Sequence, residues 1–232
     1  MKISIHQPSY WPWLGLLHKI AQSDTFVILD NVEISKGSFQ YRNQFLCNGI
    51  TKFITLPVEY HSKTKLSELK FKDNGWADKQ LSFIRSYYNR SAHFNEIYSI
   101  VEQLFNGYNS SDACGFINKT MIQCFDFFDI SVDVIKASEY PFNKNKGELV
   151  YEICNYFQAN IYISGQGAKA YMNNDLLNKF AQNGIQIEWQ KFKHPKYPQG
   201  NQATSFVEGL SSLDLLFHNG IKNSRKIMRS II

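Results

Sequence analysis

The stretch Lys2-Ile3-Ser4-Ile5-His6-Gln7-Pro8-Ser9-Tyr10-Trp11-Pro12-Trp13-Leu14-Gly15 decides how the rest of the chain is read. A short apolar alternation, Lys2 to Ile5, runs into an aromatic, proline-rich turn, and a helical pattern opens at Leu14. Carried through to Gln22, that pattern puts Leu14, Leu17 and Ala21 on one face and stops before Ser23-Asp24. Thr25 to Leu29 is then almost wholly apolar, as a strand covered on both faces should be. Strand, turn, helix and strand make one βαβ unit. The unusual composition sits where the first strand ends, and in an open parallel sheet that edge is where ligands bind.

Further along, the same alternation returns. Ser131 to Ile135, Asn160 to Ser164 and Ile185 to Trp189 read as strands, with helices over Lys146–Phe157 and Asn174–Gln182 between them. The connection lengths suit right-handed crossovers in a parallel sheet. Glu33 to Asn43 reads as a polar loop leading to a hairpin, with Asn48-Gly49 as its turn and Phe45–Cys47 and Lys52–Val58 as its arms. The lysine-rich segment His61 to Asn74 is an exposed excursion, with a short strand over Leu66–Lys72. Helices are predicted at Ala77–Asn89, His93–Phe105 and Ser111–Phe128, the last capped by Ser110-Ser111-Asp112. The tail reads as a loop from His194 to Thr204, a short helix Ser211–His218 and a basic helix Asn223–Ile232. The expected architecture is one α/β domain over 1–232, an open, mostly parallel sheet with flanking helices and a helical block inserted over 76–128.

Composition narrows the class. A chain of 232 residues with 44% hydrophobic and 19% charged residues can bury a sizeable core, and 18 Phe with 13 Tyr make that core aromatic. A net charge of +5, dispersed along the chain, suits anionic small molecules but gives no nucleic-acid stripe. Cys47, Cys114, Cys124 and Cys154 form no CxxC pair and read as reduced thiols. No run approaches the ~20 apolar residues needed to span a bilayer. The start reads as a strand rather than a secretory leader, so the expected compartment is the cytoplasm.

Four polar segments fall at or near predicted strand ends. His6-Gln7-Pro8 with Tyr10 and Trp13 could bring an acid–base group and a stacking surface to a ligand; the same residues also suit a turn that only fills a corner. Ser164-Gly165-Gln166-Gly167, with Lys169 beyond it, could turn backbone N–H groups toward a phosphate or carboxylate, although glycines serve such turns for conformational reasons alone. His194-Pro195-Lys196-Tyr197-Pro198-Gln199 is stiffened by its prolines and is either a polar reading head or a rigid packing loop. Asp30-Asn31 and Arg42-Asn43 complete the set, with Asp30 placed for a ribose hydroxyl or a cationic group, or simply solvated. His61, His93 and His218 lack partners at metal-ligand spacing, so no metal is expected. There is no GxSxG elbow and no Walker motif.

With these segments in place the chain resembles the WbqC-like protein family. The resemblance rests on His6-Gln7-Pro8-x-Tyr10-x-Pro12-Trp13-Leu14-Gly15 with His18-Lys19-Ile20 and Ser23-Asp24, then Asp30-Asn31-Val32, Arg42-Asn43 and Leu56-Pro57-Val58. It continues through Tyr162-Ile163-Ser164-Gly165-x-Gly167-Ala168-x-x-Tyr171, His194-Pro195-x-Tyr197-Pro198-Gln199 and Ser211-x-Leu213-Asp214-Leu215-Leu216-Phe217-x-Asn219-Gly220. It implies a role in O-antigen and other surface-polysaccharide biosynthesis, where adding an acyl or aminoacyl group, glycyl among them, to a sugar has been suggested. A second resemblance is to the nucleotidyltransferase branch of the HUP-type fold. The slot of its HxGH element reads Trp13-x-Gly15-Leu16 here, without either histidine, which puts adenylylation by the usual route in doubt.

These resemblances imply a transferase that acylates an amino or hydroxyl group of a nucleotide-linked sugar. His6 and His194 would be catalytic. Gln7, Tyr10, Trp13, Asp30, Arg42, Asn43, Ser164, Gly165, Gly167, Tyr197 and Gln199 would bind substrate. The alternatives are a non-catalytic nucleotide-sugar binding protein of the same pathway, or an adenylylating enzyme. No cofactor follows from the residues. The expected partners are a nucleotide-sugar and an acyl donor.

Overall fold

The computed structural model describes residues 1–200 and 205–232, so the end of the loop expected over 194–204 lies outside the described residues. In chain order the elements are β1 (Lys2–His6), α1 (Leu14–Ile20), β2 (Thr25–Ile28), β3 (Arg42–Cys47), β4 (Ile50–Thr55), β5 (Val58–Glu59), β6 (Lys70–Phe71), α2 (Trp76–Tyr88), α3 (Phe94–Asn106) and α4 (Ala113–Phe128). They continue with β7 (Asp133–Lys136), α5 (Lys146–Tyr156), β8 (Ile161–Ser164), α6 (Asn174–Gln182), β9 (Gln186–Trp189) and α7 (Ser212–Arg229).

The central sheet has five strands, all parallel, in the order β7-β2-β1-β8-β9. The chain moves outward from β1 to β2 and β7, then returns to β8 on the other side of β1. The direction reverses between β1 and β8, and this is the topological switch point at which open α/β sheets bind ligands. The two strands pair only through Ser4 and Ile163, whereas the β1–β2 ladder continues to His6 and Ile28. β1 therefore outruns β8 at its carboxyl end and leaves a crevice there.

Alternation along the strands sorts the side chains into two cores. Phe26 and Ile28 of β2 pack with α1, the helices α2–α4 and α7, while Val27 packs with Ile3, Ile5 and the helices α5 and α6. The sheet is thus covered on both faces, as its apolar strands require. Burial of one fully enclosed side chain such as Phe26 is worth about 1.5–3 kcal/mol. α4 begins where the Asp112 carboxylate accepts from the Gly115 N–H at 2.8 Å, and ends at Asp129 in the left-handed region with φ 59°.

Several elements differ from the sequence reading. β4 ends at Thr55, before Pro57, and Val58–Glu59 pairs with Lys70–Phe71 instead of extending the hairpin arm. Leu66–Lys72 is a 3-10 turn over Leu66–Glu68 followed by that two-residue strand. The tail, by contrast, holds two helical segments as read, joined in one run, α7, across a non-helical Gly220 at φ 70° and ψ 168°. A Cβ at Gly220 would lie 2.6 Å from His93 Nδ1, so the break holds a close approach as well as a left-handed backbone. Among the described residues no helix is long and apolar enough to cross a membrane.

Candidate functional site at the switch point

A cavity of about 890 Å³ opens outside the carboxyl ends of β1 and β8. Ile5, His6 and Gln7 of the outrunning β1, together with Lys19 of α1, line it from the sheet side. The segment after β2 supplies Leu29, Asn31 and Glu33, with Lys65 beside them. Facing these are Asn145 and Lys146 at the start of α5, and Gly165, Gly167 and Tyr171 after β8. The helix leaving β7 must begin at this edge, so the N-terminus of α5, with its favourable potential for anions, falls here by topology.

Charge follows the same sense. Lys19, Lys65 and Lys146 line the cavity against the carboxylate of Glu33. Cβ atoms built at Gly165 and Gly167 would meet nothing within 4 Å. Neither glycine sits at positive φ, so these positions present bare backbone to open space rather than solving a conformational problem.

The imidazole of His6 bonds the Gln7 carbonyl through Nδ1 at 2.8 Å. Nδ1 must therefore carry the proton, which assigns Nε2 as the acceptor on a ring that lines the cavity. The enclosing walls, then the Lys19 charge, hold this histidine well below its ordinary pKa, at about 3, while the Gln7 carbonyl opposes them. The side chain is open to solvent through the cavity mouth, so the direction is the firm conclusion: the ring is neutral near pH 7.

Lys19 is only 4% exposed, and its Nζ donates to the Ile5 carbonyl at 2.9 Å. Burial lowers its pKa to about 7. The sequence reading gave it no role, since it stood in a helix with an assigned apolar face. Yet all seven residues of α1 are buried, because the helix is wedged between the sheet and α7. Lys65 and Lys146 were missed for another reason: loops and helix starts carry no periodic signal. The position of Asn145-Lys146 was nevertheless deducible from the rule that found His6, since a helix following a parallel strand starts at the ligand edge.

Of the residues singled out from sequence, the cavity brings together His6, Gln7, Asn31, Gly165 and Gly167. The others lie elsewhere, each for a physical reason. Tyr10 is fully buried, and its hydroxyl bonds Gln80 at 3.1 Å. Asn43 is also buried, its amide donating to the carbonyls of Tyr10 and Trp11 at 3.1 and 2.6 Å. The Asn43 bonds pin the aromatic turn, including Trp11 at φ 43°, to β3, while the Tyr10–Gln80 bond and the stacking of Trp11 on Phe105 hold it to the helical block. The Trp13 ring folds over Gly15, where a Cβ would come within 2.2 Å of it, and meets Phe192 edge-on. Asp30 accepts from both the N–H and the hydroxyl of Ser138 at 2.8 Å. The Arg42 guanidinium donates to the Gly37 carbonyl and lies 4.1 Å over the Phe53 ring. Ser164 is fully buried, its hydroxyl against the Gly165 carbonyl at 3.4 Å.

The third motif gathers around a different centre. Asp214, at the start of α7, accepts from Tyr88 at 3.0 Å, Tyr197 at 3.1 Å and Gln199 at 3.3 Å. Burial raises its pKa to about 6, with the three donors pulling the other way. His194 packs among Phe192, Tyr197 and Phe206, its Nδ1 on the Pro195 carbonyl at 2.9 Å. Tyr197 and Gln199 are thus committed to Asp214, and none of the three residues lines the switch-point cavity.

No solved structure matches the chain. The uncharacterized protein Rv1507c of Mycobacterium tuberculosis is 25% identical over 223 residues, covering 94% of each chain. The model of the WbqC-like protein family matches residues 7–226, a span that runs from Gln7 through the Asp214 cluster into the last turns of α7. The chain belongs to the WbqC-like protein family.

Proposed function

We propose that the protein is a transferase of surface-polysaccharide biosynthesis that places an acyl or aminoacyl group on an amino or hydroxyl group of a nucleotide-linked sugar, in the switch-point cavity. The observation that carries this reading is the neutral His6 ring, its Nε2 unprotonated, beside Lys19 in a cavity of about 890 Å³. That volume is in the range of small-molecule sites, about 300–1,000 Å³. The surface-polysaccharide setting comes from the family resemblance.

In this reaction the acceptor's N–H or O–H gives its proton to His6 Nε2 as its lone pair attacks the acyl carbon of an activated ester or thioester. The new C–N or C–O bond forms, the bond to the leaving group breaks, and that group departs with the electron pair and takes the proton from His6. A free imidazole held at about 3 is a weak base. Burial is the larger cause of that depression and the Lys19 charge the smaller; an anionic substrate beside Lys19 offsets the second and shifts the ring upward. Acid–base assistance of this kind contributes on the order of 10²–10⁴-fold, with the remainder supplied by holding donor and acceptor together.

Thermal-shift screening against nucleotide-sugars, followed by mass analysis of acceptors incubated with acyl donors, tests the reading. The expected result is an acceptor heavier by one acyl group, with formation slowed in a folded His6→Ala protein. Stabilisation by a nucleotide-sugar with no product from any donor would make this a binding protein instead.

A further inference from the structure

We infer that Lys19 forms an oxyanion subsite on the sheet side of the switch-point cavity, taking a phosphate or carboxylate group of the bound substrate. The inference deepens the transfer reading and rests on the same cavity. Strand geometry is the first ground. The His6 carbonyl accepts from Leu29 N–H at 2.8 Å on the β2 side, so alternation turns the Ile5 carbonyl toward β8. The β1–β8 ladder has already stopped at Ser4 and Ile163, and Lys19 Nζ takes that acceptor at 2.9 Å. The ammonium thus stands in the gap where β1 and β8 part, at the centre of the switch point.

Unused bonding capacity is the second ground. An ammonium has three donors, and the Ile5 carbonyl occupies one. Among the described residues Lys19 has no ion-pair partner, although its side chain is buried and lines the cavity. A buried cation without a counter-charge is costly for the protein alone and suited to an anion that arrives from outside. The groups that face it across the cavity are His6 from β1, Glu33 and Lys65 from the loops, Lys146 from α5, and Tyr162 and Tyr171 around β8. Glu33 is the one carboxylate among them, against the amines of Lys65 and Lys146 and of Lys19 itself, so the surroundings favour an added negative charge.

Proton linkage follows directly. With its pKa lowered to about 7, Lys19 is mostly neutral at pH 8, and an oxyanion bound against it draws a proton onto the amine. His6 starts too low to contribute at that pH, and burial pushes the tyrosines up, away from it. Calorimetric titration of the full chain at pH 8 tests this, with UDP and ADP in one arm and acetate in the other, each in two buffers of different ionisation heat. The expected result is binding accompanied by net proton uptake, with Kd weakened at least about tenfold in Lys19→Met. Binding of both nucleotides identifies phosphate as the source of the charge, and binding of acetate alone identifies a carboxylate. No binding in either arm, binding without proton uptake, or equal affinity in Lys19→Met overturns the subsite. Should Lys19→Met not fold, proton uptake by the unmodified protein decides alone. Failure to form an acylated product would sink the transfer reading and leave the subsite standing. Unchanged affinity in Lys19→Met would do the reverse.

Discussion

The molecule gathers ionisable side chains in two places, and they are built on opposite principles. Around Asp214, two tyrosine hydroxyls and a glutamine amide converge on one carboxylate and tie α2, the 194–199 loop and α7 together. In the switch-point cavity, His6 has an unprotonated Nε2 and Lys19 an ammonium bonded once, beside open space. The first cluster satisfies itself and holds the fold. The second leaves donors of Lys19 and the Nε2 acceptor of His6 at the cavity, where we place the ligand. Both fall within motifs that resemble the same family, so a motif's polar residues do not by themselves distinguish architecture from chemistry.

That contrast can be broken most forcefully at His6. His6→Gln should slow acyl transfer by about 10²–10⁴-fold while leaving the denaturation midpoint nearly unmoved, because the ring makes one hydrogen bond and faces the cavity. Steady-state assays beside urea titrations of the same preparations check it. Loss of stability with little loss of rate would place His6 with Asp214 instead.

Asp214→Ala should act in the other sense. It leaves the Tyr88 and Tyr197 hydroxyls and the Gln199 amide without their acceptor in a dry interior, at a cost of about 3–5 kcal/mol in chemical denaturation. Nucleotide-sugar affinity in the fraction that remains folded should be unchanged.

The raised pKa of Asp214 also gives a pH signature. With a folded-state value of about 6 against the model 3.8, the native state binds more protons than the unfolded chain between those values. This contribution to stability therefore grows as pH falls through 6 and is lost as pH rises. Relative to Asp214→Asn, which cannot titrate, the natural protein should gain about 1 kcal/mol between pH 7 and pH 5. Comparing urea midpoints of the two proteins at both pH values measures it, and a flat difference would mean that the carboxyl titrates normally.

The smallest expected effect is on the stability of Lys19→Met at pH 7. The substitution loses one hydrogen bond but removes a buried amine that has no counter-charge, so the net change should stay within about 1 kcal/mol. A loss of several kcal/mol would show that Lys19 holds β1 in place rather than waiting for a ligand.

Much of the fold was legible because its signal is periodic. Thr25–Ile28 and Ile161–Ser164 are apolar runs bounded by polar residues, and each was placed within a residue or so of its observed position. Sheet order was not legible in the same way, since nothing in an apolar run says which neighbour it pairs with. The 66–72 segment was half legible: Leu69 and Phe71 alternate as in a strand and Lys70–Phe71 is one, while Leu66, three residues before Leu69, opens a 3-10 turn. The two tail helices were legible, and they meet at Gly220, whose backbone is non-helical.

The site was legible where it lies directly on strand ends, at His6, Gln7, Gly165 and Gly167. Polar residues such as Asn43 and Tyr197 drew attention for the right chemistry in the wrong place, because a buried hydrogen bond to backbone or to Asp214 leaves no trace in sequence. Lys19 was hidden for the converse reason. A lysine in a short helix ordinarily reads as a solvated residue, and only the packing of α1 on all sides turns it inward.

The central claim is that ligand chemistry belongs to the switch point and not to the Asp214 cluster. The most direct measurement is a crystal structure of the protein with whichever nucleotide-sugar gives the largest thermal shift. The ligand is expected between β1 and β8, with an oxyanion at Lys19 Nζ and the sugar within reach of His6 Nε2. A ligand seated instead against His194, Tyr197 and Gln199, with the switch-point cavity unchanged, would contradict it.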